Sequence, residues 1–314
     1  MDNLIFSLNA TVPVFFMMLL GILFRKIGFM DRDFAGKLNR FVFQIALPVV
    51  LFQDLAGEDF TSAWNFSFVL FCFTVTLISI VVIALISMVF VKREIAGEFV
   101  QASYRSSAAL LGIAFIQNIY GNSGMAPLMI IGTVPLYNIM AVVILSVMNP
   151  VCHRMDRAAL KKAGFGILTN PILWGIMLGL VWSICRLPQP EILTKTVNSI
   201  GALATPLGLM AMGAGFEGGK ALAMIKPTLA AGFLKLVILP GIFLPVAVWI
   251  GFEKEALVAI LIMLGSATTV SSYVMAKNMG HAGILTSSVV MMTTCFSAFT
   301  LTGWLFLLRI FKLV

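Results

Sequence analysis

The sequence predicts an all-α integral membrane protein with ten transmembrane helices, built as two inverted five-helix repeats. The composition, the apolar runs and an internal repeat lead to this prediction. Of the 314 residues, 60% are apolar and only 11% are charged, whereas soluble domains average about 25% charged residues. So few charges cannot cover the surface of a soluble enzyme, and so apolar a chain is not disordered.

Ten apolar runs are long enough to cross a bilayer, which takes about 20 helical residues. The connections are short, and no phosphate-binding loop, nucleophile–base pair or metal-ligand cluster is visible. We therefore predict no enzyme activity, no cofactor, no metal site and no nucleic-acid partner. The predicted spans cover residues 4–24, 41–57, 64–91, 106–120, 125–149, 167–185, 196–216, 227–251, 255–276 and 284–308.

The distribution of Lys and Arg sets the orientation, because cytoplasmic loops carry the excess of both. With the N-terminus outside, 15 of the 21 basic residues fall in inside loops and five fall outside. The remaining one, Lys235, falls within span eight. We therefore predict that both termini lie outside and that the 151–166 loop is cytoplasmic.

The chain resembles itself at an offset of 158 residues, across two consecutive spans of each half. Because each half has an odd number of spans, residues 1–150 and 167–314 form inverted repeats joined by the 151–166 loop. Inverted repeats are typical of secondary transporters, with the substrate near the midplane. A duplicated membrane sensor or scaffold is the alternative. The matching pairs are Thr11/Thr169, Pro13/Pro171, Gly21/Gly179, Pro48/Pro206, Gly57/Gly215 and Asp59/Glu217.

Spans four and nine have the most polar interiors of their halves, at residues 105–114 and 265–273. A helix can break inside a membrane only where protein or a water cavity covers the gap. The half-helices beyond two such breaks would offer free amides to a carboxylate. The alternative is close helix packing through small residues.

Five single residues inside the spans indicate bending or binding. Pro48 and Pro206 should kink spans two and seven, and Pro135 should free a carbonyl in span five. Asn138 is costly in lipid unless it has a partner. Lys235 could balance an anionic substrate or carry a coupling proton. The alternative for Lys235 is snorkelling to the interface.

Six short motifs follow one another along the chain. They are Leu47-Pro48-x-x-Leu51-Phe52, Pro135-Leu136-Tyr137-Asn138, Asn170-Pro171, Thr205-Pro206-Leu207, Lys235-Leu236-x-x-Leu239-Pro240 and Ser272-Tyr273-Val274-Met275-Ala276. In this order they resemble the auxin efflux carrier family, which includes bacterial malonate and malate permeases and plant auxin carriers. The resemblance covers the whole chain.

The resemblance implies a fold in which the broken helices 4 and 9 cross beside the substrate. It implies a scaffold from residues 1–57 and 167–216, dimeric through its helices, and a moving transport domain from residues 64–149 and 227–308. It also implies a multi-pass protein of the bacterial inner or plasma membrane.

The chain departs from the family pattern at both crossover segments. Gly112 and Gly265 remain there and tolerate irregular backbone. The substrate-binding asparagines of the family cannot be transferred to this chain. The departures are Ser107 and Ser271 for the two asparagines, and Ala114 and Ala267 for the two prolines.

The leading hypothesis is a secondary active transporter of small organic anions, such as dicarboxylates or auxin-like carboxylates, working by elevator-type alternating access. Acidic residues are absent from the predicted spans 4, 5, 8, 9 and 10 except Glu255 at an end, which disfavours sodium and leaves proton coupling or uniport open. A non-transporting sensor and a sodium-coupled anion symporter are the alternatives. The predicted substrate-binding residues are Ser107, Gly112, Asn138, Thr268, Ser271 and Lys235, and the predicted breaks or hinges are Pro48, Pro135, Pro206 and Gly265.

Overall fold

The structure, a computed structural model, describes residues 2–56, 65–108, 116, 119–120, 125–150, 165 and 168–314. This described part is helical and contains no β-strand. Seven helical stretches of this part are long and apolar enough to cross a membrane, and four of them join two or three consecutive elements. The prediction of an all-α, multi-pass membrane protein is therefore confirmed, while the ten-span inverted arrangement stays a prediction.

The described helices follow one another along the chain, and some of them are continuous. Two π-helical segments, Val42–Ala46 and Leu234–Ile238, continue α2 into α3 and α11 into α12. The α-helices are α1 (Asp2–Lys26), α2 (Arg32–Phe41), α3 (Leu47–Ala56), α4 (Phe66–Phe90), α5 (Arg93–Tyr104), α6 (Ala126–Val147), α7 (Pro171–Ile184), α8 (Glu191–Ala202), α9 (Ala204–Gly215), α10 (Gly218–Ala223), α11 (Ile225–Phe233), α12 (Leu239–Ile250), α13 (Glu255–Gly265), α14 (Val270–Asn278) and α15 (Ile284–Ile310).

Nine of the ten predicted spans fall on these helices. The sixth falls on α7, which has only 14 described helical residues, fewer than the about 20 that a straight crossing needs. The fourth, 106–120, lies mostly outside the described residues.

A buried helix, α5, precedes the predicted span four. Helix α5 covers a stretch that the sequence analysis left outside the spans. Glu98 on this helix is fully buried, and Arg105, which follows it, is 3% exposed. Hydropathy missed both because polar side chains that face a bundle interior lower the mean hydropathy without touching lipid. Lys235 is therefore not the only basic residue within the helix bundle, and the bundle does contain an acid.

Both π-helical segments come directly before a leucine–proline pair, Leu47-Pro48 and Leu239-Pro240. A proline has no amide to donate and leaves a carbonyl one turn earlier without its partner. A π-bulge changes the local hydrogen-bond register at that point. The irregularity predicted at Pro48 takes this form.

The other two predicted proline hinges differ from each other. Leu203 separates α8 from α9 three residues before Pro206, so span seven is interrupted close to the predicted hinge. By contrast, α6 runs unbroken through Pro135, so the helix is not interrupted at the hinge predicted there. Most of α6 is buried, and packed neighbouring helices allow a membrane helix to continue past one missing hydrogen bond.

Two helix pairs pack with their backbones close together. In the first pair, Gly21 of α1 lies against the backbone of Met210 in α9. In the second, Gly179 of α7 lies against the backbone of Phe52 in α3. Both residues of the second contact are related to those of the first by the 158-residue offset. In the first contact the glycine belongs to the first half of the chain, and in the second contact it belongs to the second half. Two copies related by a twofold axis would produce this exchange of the halves.

Gly175→Ala is expected to destabilise the protein strongly, because a Cβ there would collide with the backbone of Pro48, which cannot rotate away. Gly303→Ala is the matched control in α15, since a Cβ there meets nothing within 4 Å and alanine favours a helix by about 1 kcal/mol over glycine. Thermal unfolding in detergent measures both. Equal melting temperatures for the two variants would contradict the packing argument.

An exposed ion-pair cluster joins α2 to the segment after α9. Glu217 lies 2.8 Å from Nζ of Lys220 and 3.5 Å from the guanidinium of Arg32. The hydrogen bond from Lys220, with the charges of Lys220, Arg32 and Arg25, holds the pKa of Glu217 below its ordinary value. The cluster therefore stabilises the connection between these elements while the carboxylate is charged.

The contribution of Glu217 to stability should depend on pH with a defined sign. Because its folded-state pKa is lowered, the contribution is complete above the unfolded-state pKa and is lost as the pH falls through the folded-state pKa. Melting temperatures of wild type and Glu217→Gln should therefore differ near neutral pH and converge in acid. A difference that stays constant between about pH 7 and about pH 3 would contradict this.

Candidate functional site

Two helix breaks meet inside the bundle. Helix α5 ends at Tyr104 and is followed by extended backbone, and α13 ends at Gly265, with four residues between it and the start of α14. The amide of Ser107 in the first break donates to the carbonyl of Ala267 in the second, at 3.0 Å. The two breaks therefore touch through their backbones. The predicted break at Gly265 coincides with the end of a helix.

A second contact ties the breaks together. The hydroxyl of Thr268 donates to the carbonyl of Ala102 at 2.8 Å, and the amide of Thr268 donates to the hydroxyl of Thr293 at 3.0 Å. Thr268 is 2% exposed. Its hydroxyl and its amide are both hydrogen-bonded within the protein, so Thr268 links α5 to α15.

Arg105 is the charged residue of the first break. One Nη donates to Oδ1 of Asn138, and the other lies 2.7 Å from the sulfur of Met275. Asn138 in turn donates to the carbonyl of Val134 at 2.8 Å. The partner that Asn138 needs inside the membrane is therefore an arginine, which the sequence analysis had left outside the spans.

Two aromatic hydroxyls line the same place. The Tyr137 hydroxyl donates to the carbonyl of Met263 at 3.1 Å and lies 3.2 Å from the Ser106 hydroxyl, which also donates to that carbonyl. The Tyr104 hydroxyl donates to the carbonyl of Tyr137 at 3.1 Å. The ends of α5 and α13 are thus joined by a network of side chains from α6.

Lys235 reaches the same network from its π-helical segment. Its Nζ lies 3.0 Å from the carbonyl of Tyr104 and 3.4 Å from the carbonyl of Met263. The residue is fully buried, which rules out the snorkelling alternative. The structure therefore places two basic side chains, Lys235 and Arg105, at the breaks.

Glu98 is the buried acid of α5, and it faces the start of α15. Its two carboxylate oxygens accept from the amides of Gly283 and Thr286 at 2.8 and 3.0 Å, and from the Thr286 hydroxyl at 2.9 Å. Gly283 has a positive φ of 74°, which favours glycine. Glu98 thus caps the N-terminus of α15, where a negative charge is stabilised.

The charges buried around the breaks do not cancel. Glu98 is satisfied by the end of α15, whereas the described partners of Arg105 and Lys235 are neutral oxygen and sulfur atoms. In the part of the chain that the structure describes, no carboxylate lies within 4.0 Å of either cation. One negative charge against two positive charges leaves the site attractive to an anion.

The remaining predicted site residues are distributed unevenly. Ser107 is in the first break, and the hydroxyl of Ser271 lies 3.2 Å from that of Thr269 in the first turn of α14. Gly112 lies outside the described residues. Arg105, Glu98 and the two tyrosines were not among the predicted site residues, although Arg105 begins the polar segment 105–114 in which the first break was predicted.

An open groove of about 780 Å³ lies elsewhere, between α1 and α10. Two of its basic side chains, Arg25 and Lys220, already have protein partners: Arg25 donates to the carbonyls of Ala214 and Phe216 at 3.0 and 3.1 Å. Lys220 pairs with Glu217. The helix breaks, with their excess of buried positive charge, are therefore the stronger candidate site.

Comparison with known families gives one result. The family model described as membrane transport protein matches residues 6–305, nearly the whole chain. Comparison with curated proteins found no significant match.

Proposed function

Because the chain belongs to the membrane transport protein family, which includes the auxin efflux carriers, we propose that it is a secondary active transporter of small organic anions. The observation that supports this is the pair of buried cations at the helix breaks, Arg105 and Lys235, without a carboxylate partner among the described residues. A carboxylate substrate would supply the missing negative charge.

Arg105 is the proposed contact for the substrate carboxylate. A guanidinium carries five N–H donors in a fork that matches a carboxylate, and one of its described partners is a thioether sulfur, a weak acceptor. A carboxylate oxygen would replace the sulfur of Met275 with a much stronger, charge-assisted bond. Asn138 would hold the guanidinium in position from the other side.

The neutral residues around the breaks would complete the site. We propose that Ser107 and Ser271 present hydroxyls and amides to the substrate and that Thr268 holds the breaks together. Gly112, which has no side chain, would let the substrate come close to the backbone. Lys235 would act through its positive potential, since its ammonium group is engaged by two carbonyls. The first amides of α14 add the positive end of a helix dipole.

Elevator-type movement of residues 64–149 and 227–308 against a scaffold of residues 1–57 and 167–216 is the proposed mechanism. The close glycine contacts of α1 with α9 and of α3 with α7 favour a rigid scaffold. Between the two bodies, Gly208 of α9 faces the methyl groups of Val270 and Val274 in α14, and the side-chain amide of Asn278 donates to the carbonyl of Asn39 at 3.3 Å, a hydrogen bond that sliding would have to break. We also propose that the protein forms homodimers through the scaffold helices.

Uptake into proteoliposomes tests this function. Purified protein is reconstituted, and entry of radiolabelled malate, malonate and an aromatic acid is followed with and without a membrane potential. The proposal expects saturable uptake of at least one acid above protein-free liposomes. Binding of an acid, seen as a rise in melting temperature, without any uptake would favour the membrane sensor instead.

A further inference from the structure

The ammonium group of Lys235 lies where two broken helices end. Tyr104, whose carbonyl accepts at 3.0 Å, is the last residue of α5. Met263, whose carbonyl accepts at 3.4 Å, is two residues from the end of α13. Beyond each carbonyl the helix stops, so neither has the amide four residues later that a continuous helix would supply.

Two helix C-termini that converge in a membrane interior require positive charge. Each C-terminus carries the equivalent of about half a negative charge, and carbonyls freed by a helix break are the groups with which membrane proteins bind cations. The described side chains that share the Met263 carbonyl are neutral hydroxyls, from Tyr137 and Ser106. The ammonium group of Lys235 therefore lies where its charge is stabilised by the negative ends of both helices.

The lysine that carries this charge lies in an irregular stretch of helix. Lys235 is the second residue of the π-helical segment Leu234–Ile238, which the Leu239-Pro240 pair follows. A π-bulge shifts the direction of the side chains on either side of it. The four-carbon stem of lysine then carries the ammonium group to the carbonyls of two other helices.

We propose that Lys235 is a tethered cation, which fills a monovalent-cation site formed by the ends of α5 and α13. The site would take sodium or ammonium if the lysine side chain were removed. Its consequence for transport rests on the proposed function: the wild-type protein moves its anion without sodium, because the cation is already part of the chain. This role differs from direct contact with the substrate, which belongs to Arg105.

Chemical rescue of Lys235→Ala tests the proposal without any transport measurement. Thermal unfolding of purified protein is recorded in N-methylglucamine chloride and then with added ammonium, methylammonium, sodium or potassium chloride. The variant should melt lower than wild type, and at least one small cation should raise its melting temperature saturably by several degrees. Wild type and Lys26→Ala, an exposed lysine of α1, should not respond to the same salts.

A second variant keeps the test decisive. Lys235→Met fills the space without a charge, so it should be destabilised and should not respond to small cations. A folded Lys235→Ala that no small cation stabilises more than it stabilises Lys235→Met would overturn the proposal. If neither variant folds, the melting temperature of wild type with and without sodium is the test. A rise with sodium would contradict a site already filled by lysine.

Uptake then separates this proposal from the proposed function. Wild-type uptake should be equal in sodium and N-methylglucamine, and the cation that stabilises Lys235→Ala should restore its uptake at least in part. Sodium-dependent wild-type uptake would overturn the tethered cation. Cation rescue of the melting temperature, with no uptake of any acid by wild type, would support the tethered cation and contradict the transport function.

Discussion

Arg105→Gln is expected to lower uptake of the transported acid about a hundredfold. Removing one member of a buried, hydrogen-bonded charge pair costs roughly 2–5 kcal/mol of binding, and about 3 kcal/mol corresponds to that factor. Glutamine keeps a neutral hydrogen-bonding group near Asn138 but loses the guanidinium fork. Arg105→Lys keeps the charge without the fork and should fall between Arg105→Gln and wild type.

The measurement is the initial rate of uptake into proteoliposomes at equal amounts of folded protein, checked by melting temperature. Arg40→Gln is the matched control, because Arg40 is an exposed arginine near the end of α2. Uptake by Arg105→Gln equal to that by Arg40→Gln would remove Arg105 from the site. An unchanged affinity for the acid with a slower maximal rate of uptake would assign Arg105 to the movement of the transport domain instead.

Glu98→Ala is expected to lower the free energy of unfolding by about 3 kcal/mol, the upper end for losing a hydrogen bond to a charged group. The amides of Gly283 and Thr286 would lose their acceptor in a buried place, and α15 would lose its cap. Glu98→Gln keeps one acceptor oxygen and should lie between the alanine variant and wild type. Thermal unfolding in detergent measures the series.

Glu94→Ala is the control for Glu98. Glu94 lies one turn earlier on the same helix and is exposed, so its loss should change the melting temperature little. If Glu98→Ala and Glu94→Ala melted together, Glu98 would not be holding α15 to α5. Substrate binding by Glu98→Gln should persist, because Glu98 faces α15 rather than Arg105.

Much of the fold could be predicted from the sequence because a helix that crosses a membrane is a long apolar run. Long apolar runs predicted the helices of spans three, five and ten to within a few residues, and Gly21 and Gly179, paired by the 158-residue offset, make equivalent contacts. The prolines were less informative. Pro48 follows a π-helical segment and Pro206 an interruption, while α6 continues through Pro135. Whether a helix breaks depends on neighbours that a single sequence does not identify.

The sequence located the two breaks but not the chemistry around them, and substrate binding by the predicted residues stays a prediction. Asn138, Lys235, Ser107 and Thr268 all lie at or beside the two breaks. Arg105 was missed because the hydropathy boundary of span four was set too late, which counted its charge with the cytoplasmic loops. The partners of buried polar groups are set by packing between distant segments, such as α5 with α15, and hydropathy carries no information on such pairs.

A structure determined with a transported acid bound is the decisive measurement for the proposed site, in which Arg105 at the helix breaks contacts the substrate carboxylate. We expect density for the carboxylate within hydrogen-bonding distance of the Arg105 guanidinium, with Met275 displaced and Lys235 still on the carbonyls of α5 and α13. Density elsewhere, such as in the groove beside Arg25, with the Arg105–Asn138 and Arg105–Met275 contacts unchanged, would contradict it.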